Sequence, residues 1–371
     1  MSLFNSTNAF LGLDLGTSSV KVVELVNRRQ RVEVGTYASA EFSHDLIAPE
    51  DPKAAVSAAA AVVNRLLDEA EVSCDTVIAA LPSSIVFTTV INLPPVDDAD
   101  MESAVRFAAR DVVPANLDET SLSWSRLGGD PHTAGEPISQ NLAPAATNPM
   151  AKAAAKDQPT IPVFVTAAPK NVIDRYTQVI AEAHLVLVAL EVETFPLARS
   201  LFSLPTDSAL IVDIGDQVTN YHIIDSGTPR VSHSIDYGGN DVTEAIVQAS
   251  SLNAEEAESQ KFKYGLSAGA PEKIHTTISQ ATKLIIDKAQ QLQSIYAQRY
   301  HRNINKTILI GGGANLKDIA KVWSDVVKHK VIIGNPWKGL SYPNQLESKM
   351  QSIGPNYAVA VGLAHRGIGK V

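Results

Sequence analysis

Two passages of the chain decide its reading: FLGLDLGTSSVKVVEL, Phe10 to Leu25, and ALIVDIGDQVTNYHIID, Ala209 to Asp225. Each gives an apolar strand, an aspartate, a glycine, a small polar turn and a second β-rich strand. Aligning Asp14 with Asp213 puts Gly16 on Gly215 and matches strand to strand on both sides, which duplication explains better than coincidence. A tight glycine turn between antiparallel strands aims backbone N–H groups and small hydroxyls at an anion, while an aspartate can hold a hydrated divalent ion. Two such hairpins facing each other make a phosphate clamp, so two related α/β domains are expected to hold a nucleotide between them. A third passage, LIGGGAN from Leu309 to Asn315, follows a strand and precedes a helix, where bare backbone can lie against a base and ribose.

Composition fits this reading. A chain of 371 residues that is 45% hydrophobic can fill two or more domain cores. Its 31 basic and 40 acidic residues give a net charge of -9, with no dense lysine or arginine block, so no nucleic acid partner is expected. The single cysteine, Cys74, leaves no intramolecular disulfide and fits a reducing compartment. The start MSLFNSTNAF lacks a basic region followed by an apolar core, so a cytoplasmic location is expected. No window reaches the roughly 18 to 20 apolar residues of a membrane span, so any membrane association is expected to be indirect or superficial.

Around the motifs, β-rich stretches are expected at Arg31 to Phe42, Asp75 to Pro82, Ser83 to Pro95 and Pro162 to Pro169. Helices are expected at Pro52–Ala70, Asp98–Val112, Lys170–Ala183, Val242–Ala249, Ala254–Tyr264 and Pro271–Tyr300, with a last one in NYAVAVGLAHRG, Asn356 to Gly367. Gly128 to Pro159, rich in Ala, Pro, Asn, Gly and Gln without apolar period, reads as a flexible loop.

The three motifs in this order resemble the actin-like ATPase fold, shared by actin, sugar kinases, heat-shock chaperones and FtsA. ALPSSIVFTTVINLPPVDDADMESAVRFAARDVVPANLDETSLSW, VFVTAAPKNVIDRYTQVIAEAHL and LEVETFPLARSL further resemble the PilM family, cytoplasmic platform proteins of type IV pilus assembly. Apart from Gly128 to Pro159, the resemblance covers nearly the whole chain. It implies a first actin-like domain at 1–206 with an inserted αβ subdomain at about 84–186 and the loop 128–159. A second domain at 207–352, with a helical subdomain at about 243–303, and a C-terminal helix in 353–371 returning to the first domain complete it.

The resemblance also implies ATP or ADP with Mg2+ in the cleft, and a groove beside the inserted subdomain for the N-terminal cytoplasmic peptide of a PilN-like bitopic membrane protein. That partner would bring the chain to the inner face of the cytoplasmic membrane. Other pilus platform proteins, assembly ATPases and a second copy of the chain stay open as partners. A phosphotransferase of the same fold and an FtsA-like filament former stay open as alternatives, although the tail VGLAHRGIGKV is too short and glycine-broken for an amphipathic anchor.

Carried onto this sequence, the family's first phosphate loop falls on Gly12, Asp14, Gly16, Thr17, Ser18, Ser19 and Lys21, and its second on Asp213, Gly215 and Thr219. The connecting pair is Gly238 and Gly239. Glu258 and Lys261 are expected at the ribose hydroxyls, and Gly311, Gly312, Gly313 and Asn315 around the nucleoside. Asp14 and Asp213 are assigned to magnesium through water. No group placed to take a proton is identified, so turnover is expected to be slow or absent. This sequence departs from the family at Asp216, where an alanine is usual and a carboxylate would repel phosphates, at Ala108, at His184, which replaces a glycine, and at His233, which replaces an arginine. Both histidines read as packing or surface residues.

Overall fold

The computed structural model describes residues 8–28, 31–42, 46–127, 160–204 and 207–368. The loop expected at Gly128 to Pro159 lies outside them. β1 (Asn8–Leu15), β2 (Ser19–Arg28) and β3 (Arg31–Glu41) form an antiparallel ribbon. α1 (Pro52–Glu69) begins where the Asp51 carboxylate accepts from the N–H groups of Lys53 and Ala54 at 3.0 and 3.1 Å, with proline at the first helical position. β4 (Thr76–Leu81) then lies parallel to β1.

From β4 the chain leaves the sheet to build a smaller antiparallel one from β5 (Phe87–Leu93), α2 (Met101–Ala109), β6 (Thr120–Arg126) and β7 (Ile161–Pro169), in the strand order β5-β7-β6. It returns through α3 (Lys170–Glu182) and β8 (Val186–Val192), which completes the first sheet as β3-β2-β1-β4-β8, and continues into α4 (Thr194–Leu201). The sequence reading groups α3 with the inserted unit, and here the structure corrects it. Val172, Tyr176, Val179 and Ile180 make an i, i+4, i+7, i+8 stripe that packs with Val56, Ala59 and Leu13 in the core of the first sheet.

The second domain repeats the pattern. β9 (Ala209–Ile214), β10 (Thr219–Asp225) and β11 (Thr228–Ile235) form the ribbon, followed by the helical layer α5 (Gly239–Ala249), α6 (Ala254–Tyr264) and α7 (Glu272–Tyr300). β12 (Lys306–Ile310), α8 (Ile319–Val327) and β13 (Lys330–Ile333) close a sheet of order β11-β10-β9-β12-β13, strand for strand the order of the first. After α9 (Glu347–Ile353), α10 (Ala358–Ile368) packs against β1, β2, β4 and α4.

α4 and α10 fill the seam between the domains. Ile78 and Leu197 on one side, Ile211, Ile224 and Ile308 on the other, and Val359 and Leu363 between them form one buried cluster. Burying a side chain of this size stabilises by about 1.5–3 kcal/mol, so this seam holds the two sheets in fixed relation. α10 lies so close to β1 that a Cβ at Gly12 would sit 1.9 Å from the Ala360 carbonyl oxygen.

Candidate functional site

The duplicated strands end at the same place. Asp14 is opposite Lys21 across its hairpin and beside Ala80 of β4, while Asp213 is opposite Asn220 and beside Ile310 of β12. The turns close alike: Gly16 N–H donates to the Ser19 carbonyl at 3.0 Å and Gly215 N–H to that of Val218 at 3.1 Å. In α/β sheets the carboxyl ends of the parallel strands open onto a crevice that takes ligands. Both aspartates line such a cavity here, of about 220 Å³.

Gly16, Thr17, Ser18, Ser19 and Lys21 line it from the first hairpin, Gly215, Asp216 and Asn220 from the second, and Gly311 and Gly312 from the third motif. Lys21 is steered inward by donating from Nζ to Ser19 Oγ at 2.6 Å. Gly311 has φ +77°, and a Cβ there would lie 2.3 Å from Asp213 Oδ1, so only glycine fits beside that carboxylate.

Five expected residues line neither compartment of the cleft: Gly12, Thr219, Gly238, Glu258 and Asn315. Gly12 meets α10 rather than the cavity, so its missing side chain serves helix packing. Thr219 is fully buried and donates from Oγ1 to the Tyr237 carbonyl at 2.7 Å, because strand alternation gives the cavity face to Asn220 instead. Asn315 is exposed and lines neither compartment of the cleft.

The second compartment is small and mostly apolar, and it shares Asp216 and Gly312 with the first. Gly239, Gly313, Lys261, Phe262 and Ile285 contribute to its walls. Lys261 is 3% exposed, and its Nζ donates to the Gly239 carbonyl at 3.0 Å and Thr243 Oγ1 at 2.8 Å while pairing with Glu258 at 2.6 Å. The i, i+3 pair of α6 therefore ties that helix to the start of α5, and Glu258 also accepts from Thr243. Gly238 and Gly239 seat α5 on the second hairpin: Gly239 N–H donates to the Gly215 carbonyl at 2.8 Å and Asn240 N–H to that of Asp216 at 2.9 Å.

Charge in the cleft is unbalanced. Burial raises the Asp14 carboxyl above its usual range, opposed by Lys21. Burial, then repulsion from Asp14, pushes Asp213 up to about 6, again opposed by Lys21. A third carboxylate, Glu193, was missed by the sequence reading. It follows β8, lines the same cavity, accepts from Ser83 N–H at 2.9 Å, and is pushed up to about 8 by burial and then by Asp14 and Asp213. Its signal was a glutamate ending an apolar run, LVLVALEVE, as Asp14 ends LGLD. Three carboxylates facing one lysine make a site that a bound cation would relieve. Among the described residues, no three His, Cys, Asp or Glu side chains converge closely enough to ligate a metal directly.

A family model for type IV pilus assembly protein PilM matches residues 12–368. The chain belongs to the PilM family. The solved structure of a PilM-PilN type IV pilus biogenesis complex is similar at a TM-score of 0.76 and 25% identity, over 96% of this chain and 98% of that one. The ethanolamine utilization protein EutJ from Carboxydothermus hydrogenoformans has a TM-score of 0.53 at 16% identity, over 96% of this chain and 89% of its own. MreB5 of Spiroplasma citri, bound to AMPPNP, has 0.51 at 16%, over 98% and 97%. These last two share the actin-like fold.

Relative to the PilM family pattern, His184 occupies a left-handed backbone at φ +57°. It is the residue after the C-cap of α3, where His184 N–H donates to the Ala181 carbonyl at 3.0 Å and Leu185 N–H to that of Ile180 at 3.1 Å. His233 is buried beside the Tyr221 ring, and burial lowers its pKa to about 4. Asp216, at the position of Thr17 in the first hairpin, faces both compartments.

Two further cavities lead from the turns toward the inserted sheet. One, of about 360 Å³, lies between Thr17 and Val218 of the hairpins and Phe42, Leu46 and Tyr176. The next, of about 210 Å³, lies between Ile85 and Phe87 on one side and Val113, Pro114 and Ala167 on the other. They share Ser84 and Ile85. The buried Arg175 holds one wall, donating from Nε to the Leu46 carbonyl at 2.7 Å and from Nη2 to that of Ile47. Among the described residues, no helix is long and apolar enough to cross a membrane.

Proposed function

We propose that this member of the PilM family is an ATP-binding adaptor of the type IV pilus assembly platform. It takes the N-terminal cytoplasmic peptide of a PilN-like bitopic membrane protein and is held by it at the inner face of the cytoplasmic membrane. The observation that carries the nucleotide half is the convergence of Asp14 and Asp213, from equivalent strands, on one cavity walled by two glycine turns. In this reading the turn residues Gly16 to Ser19, with Gly215, donate to the phosphates. Lys21 supplies a fixed positive charge, and the nucleoside lies toward Gly312, Gly313 and Lys261. The carboxylates Asp14 and Asp213 fit a magnesium ion held through water, which would neutralise their repulsion when bound. Glu193 is occupied by Ser83 N–H, and turnover is slow or absent.

For the peptide half, the two partly apolar cavities around Ile85, Phe87, Leu46 and Val113 offer a channel between the first domain and the inserted sheet that suits an extended segment. The similar structure at 25% identity is of a PilM-PilN complex, which favours this occupant. Two calorimetric titrations test the reading: MgATP into the protein, and a synthetic peptide of the partner's cytoplasmic N-terminus into the protein. Saturable binding of both is expected, with ATP affinity lost in Asp14→Ala and peptide affinity lost in Phe87→Ala. Absence of heat from either ligand, or equal affinities in these variants, would overturn it.

A further inference from the structure

The two residues expected at the ribose are already engaged inside the protein. A lysine ammonium has three N–H donors, and the buried Lys261 uses all of them: on the Gly239 carbonyl at 3.0 Å, on Thr243 Oγ1 at 2.8 Å and on Glu258 Oε2 at 2.6 Å. Glu258 accepts from the Thr243 hydroxyl as well and lines neither compartment. Together they hold α6 to α5, and a sugar that took a hydrogen bond from Lys261 would have to break this tie.

A different carboxylate stands where the sugar must pass. Asp216 and Gly312 are common to the phosphate cavity and the apolar compartment, so they flank the passage between the two. A Cβ on Gly312 would meet nothing within 4 Å, which leaves room on that side. On the other side the backbone of Asp216 is fixed, since its carbonyl accepts from Asn240 N–H at 2.9 Å at the start of α5. A Cβ built on Gly239 would lie 3.5 Å from both Asp216 Oδ1 and Lys261 Nζ, so the carboxylate stands across one glycine from the buried ammonium, which attracts it. Among the described residues the Asp216 carboxylate has no hydrogen-bond or ion-pair partner.

We propose that Asp216 is the ribose-binding residue of this chain, its carboxylate accepting from the vicinal 2′ and 3′ hydroxyls of a nucleotide whose base lies in the apolar compartment and whose phosphates lie between the turns. The inference rests on the proposed function above and narrows its ligand to ribonucleotides as against deoxyribonucleotides. Chemistry separates this role from that of Asp14 and Asp213. A carboxylate beside phosphates repels them unless a cation intervenes, whereas a carboxylate beside a diol accepts two charge-assisted hydrogen bonds and needs no cation. Thr17, the counterpart of Asp216 in the first hairpin, lines the phosphate cavity but not the apolar compartment. One copy of the turn therefore presents a donor to the phosphates, and the other an acceptor to the sugar.

Calorimetric titration of the full chain with ATP, 2′-deoxy-ATP and 3′-deoxy-ATP, each with Mg2+, tests the assignment. The wild type is expected to bind ATP about tenfold or more tightly than either deoxy analogue, because removing a hydroxyl leaves a carboxylate oxygen unpaired. In Asp216→Ala the preference for ATP is expected to fall to about one. Asp216→Asn keeps one neutral acceptor and is expected to lower the preference, so the test survives an alanine variant that does not fold. Glu258→Gln can still accept from Thr243 and Lys261 and is expected to keep the full preference. Because each preference is taken within one variant, a uniform change in affinity does not enter. Equal binding of the three nucleotides by the wild type, a full preference kept in either Asp216 variant, tighter ATP binding by Asp216→Ala, or a preference lost in Glu258→Gln would each overturn the assignment and leave the proposed function standing. If none of the three nucleotides binds the wild type, both fall.

Discussion

Asp14 and Asp213 occupy equivalent positions in two sheets of identical strand order, each closing the first strand of a hairpin and each opposite a polar residue, Lys21 or Asn220. The equivalence is not complete. Lys21 is the only cation of the pair, and Asp216 adds a carboxylate where the first hairpin has Thr17. The site therefore carries excess negative charge that its own side chains leave uncompensated, and its energetics should show it.

Asp213→Asn is expected to raise the stability of the ligand-free protein by about 1–2 kcal/mol, because a buried carboxylate held at about 6 by burial and Asp14 opposes folding when ionised. The same change should weaken MgATP binding. Denaturant unfolding and titration of one preparation check both signs; a less stable variant would contradict the repulsion.

Gly311→Ala and Gly312→Ala should differ sharply. A Cβ at Gly311 would meet Asp213 Oδ1 at 2.3 Å on a backbone of positive φ, whereas one at Gly312 meets nothing within 4 Å. The first is expected to cost about 2 kcal/mol or more and the second about 1 or less, measured by urea unfolding.

His184→Gly is expected to stabilise by about 0.5–1 kcal/mol, since a histidine at φ +57° after a helix adopts a backbone that glycine takes without strain. An unchanged or lowered melting temperature would count against it.

Acid should act through His222. It is fully buried, and burial lowers its pKa from 6.5 to about 3. The unfolded chain takes a proton near pH 6.5 while the folded one refuses it until about pH 3, so this group's effect is neutral above pH 6.5 and destabilising as pH falls. Its share between pH 6.5 and 5 is about 2 kcal/mol. Glu193, raised to about 8, binds its proton first in the folded state and pulls the other way over the same range. The measurement is therefore the difference between wild type and His222→Gln: the variant should lose less stability, or gain more, on going from pH 6.5 to 5.

The duplicated hairpins were legible because their cue is local: strand alternation, a turn glycine and an aspartate at fixed spacing. What escaped needed partners distant in sequence. A glycine inside a strand signals close approach without saying of what, and at Gly12 the neighbour proved to be the α10 backbone. Thr219 and Asn220 are adjacent in a strand, so an error of one residue in phase exchanges core for cleft. Glu193 has no local cue beyond the apolar run it ends: only the pairing of β8 with β4, with Leu81 opposite Val192, carries the next residue to the crevice. β6, with serines at alternate positions, has too little apolar character to declare itself. α3 adjoins the inserted unit along the chain, whereas its apolar stripe packs with α1.

The seam filled by α4 and α10 also bears on how the chain acquires its shape. α10 lies against β1, some three hundred and fifty positions earlier in the numbering, and covers Ile78, Ile211 and Ile308. During synthesis those surfaces emerge long before their cover, and loop closure over so great a separation is slow. A chain cut before Ala358 should consequently leave apolar sheet faces bare and aggregate, rather than yield a smaller folded protein.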